Sequence, residues 1–190
     1  MGIKQKILRF LIENKEKDFS INEISKRLKI DYKLIHTNVK KLEKDRTIKI
    51  VDLGNMKRCT FSYLFNSEVF ATEYQRREDF LKDRNFLVLH NRFEQVNGQF
   101  IMLLFGSYAK GTAKKHSDID LLLISDEVIH KKIESEVNLI PLKIHLTAIT
   151  YEDFVEMLKS KEQTVVTETI KNNLILFGIE DYYRILQNAR

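Results

Sequence analysis

Asp118 and Asp120 stand two residues apart in Ser117-Asp-Ile-Asp-Leu-Leu-Leu-Ile124. From Ile119 the run is apolar and reads as a strand, and on a strand residues i and i+2 face the same way. Two carboxylates side by side at the mouth of a buried strand repel each other and lose hydration, a cost that a shared cation removes. Mg2+ is the natural cation, or Mn2+ in its place, because such ions bind through one or two carboxylates together with substrate phosphates. Upstream, Phe100-Ile-Met-Leu-Leu-Phe105 reads as another buried strand and runs into Gly106-Ser107 and Tyr108-Ala-Lys-Gly111. A strand, a Gly-Ser step and a helix start make a cradle for phosphate, since glycine lets backbone N–H groups approach and a helix N-terminus adds a favourable partial charge. Ser107 adds a hydroxyl and Lys110 a point charge. Gly106, Ser107 and Lys110 are therefore candidate phosphate-binding residues, Ser117 is a further candidate next to the acids, and Asp118 and Asp120 are the candidate catalytic and metal-binding pair.

The elements that must position these residues are legible from periodicity. A later apolar alternation, Pro141-Leu-Lys-Ile-His-Leu-Thr147, puts Leu142, Ile144 and Leu146 on one face of a strand and Lys143, His145 and Thr147 on the other. Thr150-x-x-Asp153 opens a helix carrying Phe154, Val155 and Leu158, and residues 162–172 and 180–188 read as helical. Residues 66–97 carry aromatic and aliphatic side chains at helical spacing and read as connecting helices packed between two modules, with Arg76, Arg77 and Arg84 as surface charge.

The N-terminal part has its own pattern. Ile3, Ile7, Phe10 and Leu11 share one helical face. Ser20-Ile-Asn-Glu23 is a capping box opening a second helix with Ile21, Ile24 and Leu28 inside. Asp31 caps a third, with Ile35, Val39 and Leu42 inside. Two β-type runs follow, Thr47–Val51 and Cys59–Tyr63, joined by a turn-like stretch ending in Lys57 and Arg58. Charge divides the same way. Residues 1–65 hold 16 Lys and Arg against 8 Asp and Glu, and residues 66–190 hold 16 against 19. A front half at +8 and a back half at −3 predict two modules with different partners.

Three short helices and a hairpin in this order resemble a winged helix-turn-helix domain over residues 1–65. The resemblance implies that the third helix enters the major groove of double-stranded DNA while the hairpin touches the flanking backbone. Lys33, His36, Thr37, Lys40 and Lys41, with Lys57 and Arg58 on the wing, are then the DNA-binding candidates. Lysines supply phosphate attraction, and His and Thr reach base edges. Pairing on palindromic sites makes a homodimer the expected assembly.

Gly106-Ser107, ten residues, then Asp118-Ile-Asp120 resembles the signature of the polymerase-beta-like nucleotidyltransferases, and Phe105-Gly-Ser-Tyr-Ala-Lys-Gly111 with Ser117-Asp-Ile-Asp-Leu121 is similar to their minimal prokaryotic branch. Leu174-Ile-Leu-Phe-Gly178 with Tyr182-Tyr183 is similar to the closing helices of such proteins. The resemblance implies an α/β (α+β) fold, a mixed sheet with flanking helices over residues 98–190. It implies that Gly106 and Ser107 hold the tail of a nucleoside triphosphate, ATP by expectation. Asp118 and Asp120 would then bind two metals that align an acceptor hydroxyl with the α-phosphate. The family keeps a third carboxylate on a later strand. Lys143 and His145 stand there instead, as substitutes at the third position.

Two functions follow from these readings. One is transfer of a nucleoside monophosphate from a Mg-bound triphosphate to a hydroxyl of a protein or nucleic acid. The other is a DNA-binding transcriptional regulator or antitoxin-like protein whose nucleotidyltransferase domain binds nucleotide with little or no catalysis. The lone Cys59, and an N-terminus with charges spread through it and no cleavage site, make the cytoplasm the expected compartment. Charge interrupts every long apolar run, so no membrane partner is expected.

Overall fold

The computed structural model describes residues 1–52, 54, 57–160 and 164–189. They divide into two compact units, residues 1–72 and 73–190. The expected wing turn includes Leu53, Asn55 and Met56, which lie outside the described residues, as do positions 162 and 163 of the expected helix 162–172.

In the first unit, α1 (Ile3–Glu13) buries Ile7, Leu8, Leu11 and Ile12 along one face. After the short strand β1 (Phe19–Ser20), Ser20 caps α2 (Ile21–Leu28): the Glu23 N–H donates to Ser20 Oγ, and the Glu23 carboxylate accepts from the Ser20 N–H. The capping box and Arg58 together hold the Glu23 carboxyl below the usual carboxylate range. Asp31 caps α3 (Tyr32–Lys44), accepting from the N–H groups of Lys33 and Leu34. Arg46 then takes the left-handed conformation and Thr47 N–H reaches back to Leu42 O, which ends the helix and turns the chain into β2 (Ile48–Asp52). With β3 (Lys57–Phe61) the strands form an antiparallel sheet in the order β1-β3-β2. Both long strands start and end within two residues of the expected positions. Cys59 is buried on β3, and burial pushes its thiol up to about 11, so it stays protonated at neutral pH.

Helix α4 (Ser67–Phe80) runs on into the second unit, which continues with α5 (Arg84–Glu94), β4 (Ile101–Phe105), α6 (Gly106–Ala109), β5 (Ile119–Ile124) and α7 (Glu127–Asn138). It ends with β6 (Ile144–Ile149), α8 (Tyr151–Lys159), α9 (Val165–Lys171), β7 (Leu174–Phe177) and α10 (Ile179–Ala189). The mixed sheet has the order β6-β5-β4-β7, with β5 and β6 parallel and the other pairs antiparallel. Strand β4, and β5 apart from Asp120, are apolar because both of their faces are covered.

Three expectations change here. Helix α5 is part of this unit's core, not a connection: Phe86, Leu89 and Phe93 pack with Met102, Leu104, Leu121 and Leu123. Residues 174–177 form a strand beside β4 rather than a closing helix. Arg76 is not surface charge. It is buried, pairs with the buried Glu73 and donates to the Asn173 carbonyl, while Arg77 donates to the Leu176 carbonyl. Arg84 is exposed, as expected.

His90 on α5 is buried against Phe177, with ring centroids 4.4 Å apart. Burial first, and the Arg77 charge second, lower its pKa below the ordinary 6.5. The unfolded chain therefore takes up this proton first as the pH falls. Stability from neutral His90 is complete above pH 6.5 and declines below it. Thermal midpoints measured between pH 7.5 and pH 5 are expected to fall on the acid side, and to fall less steeply in His90→Phe. An identical slope in both proteins would rule out His90 as the source.

Candidate functional site

The pairing of β4 with β5 builds the site. Phe105, the last residue of β4, lies opposite Asp120 on β5, so the next residue, Gly106, arrives beside the Asp120 carboxylate. Gly106 has a φ of 68°, and a Cβ there would overlap the Asp120 side chain. Only glycine lets the chain turn out of β4 this close to the acid. The turn is short. Lys110 N–H bonds to Gly106 O, Thr112 N–H to Ser107 O, and Gly111 takes a second left-handed position at φ 66°. Tyr108 is anchored edge-on against Phe86, which fixes the loop to the core.

Asp118 is reached through a second turn. Ser117 Oγ accepts from Lys114 N–H at 2.8 Å, and Ser117 N–H returns to Lys114 O. The Ser117 hydroxyl therefore shapes the turn that presents Asp118. Ile119 N–H then bonds to Lys143 O at 2.8 Å, which ties the start of β5 to the approach to β6. Asp118, just ahead of β5, is exposed, and Asp120 is half-buried.

The parallel register of β5 and β6 pairs Asp120 with His145. His145 Nδ1 lies 3.5 Å from one Asp120 oxygen, and Lys143 Nζ lies 3.9 Å from an Asp118 oxygen. The structure thus brings together Gly106, Asp118, Asp120, Lys143 and His145. Lys110 extends from the Gly106 turn to Glu168 on α9 at 3.3 Å, an exposed pair of little energetic weight. Glu168 was not singled out from the sequence, where it carries no signal beyond helical position.

The donor set decides what cation fits. Two carboxylates with room for substrate oxygens suit one Mg2+ or Mn2+, whose remaining positions go to water and phosphate. No group of three His, Cys, Asp or Glu side chains placed to hold a metal occurs among the described residues. The residues therefore fit one divalent ion held jointly with a substrate, and they do not supply the carboxylates for a protein-held pair of ions.

The DNA-binding candidates all lie in the first unit. Lys33, His36, Thr37, Lys40 and Lys41 are exposed on α3, and Tyr32 stacks on His36. Lys40 pairs with Glu43 on the same helix. Lys57 is exposed, whereas the Arg58 guanidinium turns back to Glu23 at 2.7 Å. No helix among the described residues is long and apolar enough to cross a membrane.

The family described as polymerase beta, nucleotidyltransferase matches residues 89–182, from the middle of α5 into α10. A curated relative from Haemophilus influenzae, a probable protein adenylyltransferase MntA, is 32% identical over 105 residues, spanning 47% of this chain and 91% of the relative. A crystal structure of a toxin–antitoxin with AMP-PNP aligns with 56% of this chain and 82% of its own at 16% identity and a TM-score of 0.36. With a relative this similar matched along nearly its whole length, and a family match that spans α6 and the aspartate strand, the chain belongs to the polymerase beta nucleotidyltransferase family.

Proposed function

We propose that the second unit transfers a nucleoside monophosphate from a Mg-bound triphosphate, with ATP the expected donor, to a hydroxyl acceptor. The observation that carries this reading is the placement of Gly106 directly against Asp120, with Asp118 two residues earlier, just ahead of β5. In this reading the Gly106–Ser107 backbone and Lys110 receive the phosphate tail, and Asp118 and Asp120 would hold the cation, which would supply Lewis-acid stabilisation to the transferred phosphoryl group. The acceptor oxygen bonds to the α-phosphorus, the bond to the bridging oxygen breaks, pyrophosphate leaves, and the hydroxyl proton passes to solvent. The relative's description as a probable protein adenylyltransferase supports a protein hydroxyl as acceptor and adenylate as the group moved. Incubation with α-labelled ATP and Mg2+ or Mn2+ should label an acceptor, and γ-labelled ATP should not. Label arriving from the γ-position would contradict nucleotidyl transfer.

In the same reading the first unit is a winged helix-turn-helix module that binds double-stranded DNA, as a homodimer on palindromic sites, in the cytoplasm. Support comes from the order of helices and strands, the three-stranded antiparallel sheet and the cationic outer face of α3. Replacing Lys33 or Lys41 with Ala is expected to lower the slope of log affinity against log salt by about one unit each. Unchanged slopes would remove α3 as the contact face. A second function, regulation or antitoxin-like action with little catalysis, is favoured by one observation: Lys143 and His145 face the aspartates where a further acid is expected.

A further inference from the structure

We infer that Lys143 takes the place of a second divalent cation, so that the site binds nucleotide with a single metal ion and with the Lys143 ammonium on the phosphate tail. This rests on the reading of Asp118 and Asp120 as a nucleotide site. Three observations carry it.

The first is position. Lys143 O accepts from Ile119 N–H at 2.8 Å, so the Lys143 backbone is pinned next to the residue between the two acids. Its side chain is 79% exposed, and Nζ lies 3.9 Å from Asp118. A fixed base with a free four-carbon arm lets the ammonium leave Asp118 for a phosphate oxygen when a cation arrives between the acids.

The second is charge. One divalent ion balances two aspartates. A second one would sit in a site that already carries the Lys143 charge, with no further carboxylate to offset it. The third is the donor set. His145 occupies the partner position to Asp120 across the parallel pair, and its ring nitrogen lies 3.5 Å from the Asp120 oxygen. The place from which a third carboxylate would hold another ion beside Asp120 is therefore filled by an imidazole. Among the described residues no third acid joins the pair.

The test uses the full chain, a non-hydrolysable ATP analogue and Mn2+. Bound Mn2+ is counted by electron paramagnetic resonance, and nucleotide binding is followed by calorimetry with Mn2+ and with EDTA. Wild type is expected to hold one Mn2+ per bound nucleotide and to keep measurable binding in EDTA. Lys143→Met is expected to weaken binding in EDTA by about tenfold, the effect of one phosphate contact of about 1.4 kcal/mol. The double variant Lys143→Met with His145→Asp, which places a carboxylate opposite Asp120, is expected to take up a second Mn2+. Both side chains are well exposed, so the fold tolerates these changes. Two Mn2+ per nucleotide in wild type would overturn the inference. So would binding in EDTA that Lys143→Met leaves unchanged, or one Mn2+ in the double variant. Absence of nucleotide binding under every condition would instead remove the nucleotide site itself, and this inference with it.

Discussion

Replacing Asp120 with Asn is expected to lower nucleotidyl transfer by about a thousandfold, with the melting midpoint of the protein nearly unchanged. A metal acting as Lewis acid at a phosphoryl group supplies several kcal/mol of transition-state stabilisation, and each 1.36 kcal/mol is a factor of ten in rate. Asn keeps the shape of the side chain, so the close approach of Gly106 survives, but it removes the charge that holds the ion. Asp120 should matter more than Asp118. It is the less exposed of the two, at 26% against 58%, and it lies against the Gly106 turn. Asp118→Asn is therefore expected to lose less activity and to regain part of it at high Mn2+. Initial rates with α-labelled ATP across a metal titration separate these outcomes. Full activity in Asp120→Asn would show that the pair does not hold the catalytic ion.

Arg76→Met is expected to cost about 3–5 kcal/mol of folding stability, the range for removing one partner of a buried ion pair. Arg76 is 5% exposed and the Glu73 side chain fully buried, and Arg76 also donates to the Asn173 carbonyl at 2.9 Å. Tyr183 OH donates to Glu73 at 2.6 Å, and Asn173 donates in turn to Tyr182 OH at 2.8 Å. Burial first, with the Glu73 charge added, pushes the Tyr183 phenol well above its usual range, so it remains a donor at neutral pH. Removing the guanidinium takes the Arg76 cation away from a fully buried carboxylate. The double variant Glu73→Gln with Arg76→Met is expected to be less damaged than the two single losses added together, because the buried anion and cation leave together. Urea denaturation midpoints at constant m-value measure this. A loss below about 1 kcal/mol in Arg76→Met would show that the pair is not structural.

The sequence exposes most of what local physics decides. Ser20 with Glu23, Thr150 with Asp153 and Asp31 mark helix starts because their side-chain oxygens answer unsatisfied N–H groups, and all three cap in the structure. The pleat also puts Lys143 and His145 on one face. Their distances to Asp118 and Asp120 depend on a parallel register between β5 and β6, and pairing over a long separation leaves no local trace. Residues 174–177 show the limit of periodicity, since four apolar residues fit a strand or a buried helix equally well. Arg76 fails for a different reason. Arginine is mostly exposed, and its burial here depends on partners about a hundred residues away, Asn173 and Tyr183 with Glu73. Gly106 lies between these cases. Its place after an apolar strand suggests a tight turn, and only the antiparallel pairing shows that the atom it must avoid belongs to Asp120.

The central claim, that Asp118 and Asp120 hold a metal-bound nucleotide over the Gly106–Ser107 turn, is tested most directly by crystals grown with Mn2+ and a non-hydrolysable ATP analogue. Anomalous density is expected at the Asp118 and Asp120 carboxylates, with the phosphate tail against the Gly106–Ser107 backbone. Nucleotide seated elsewhere, or Mn2+ absent from both carboxylates while nucleotide is bound, would contradict it.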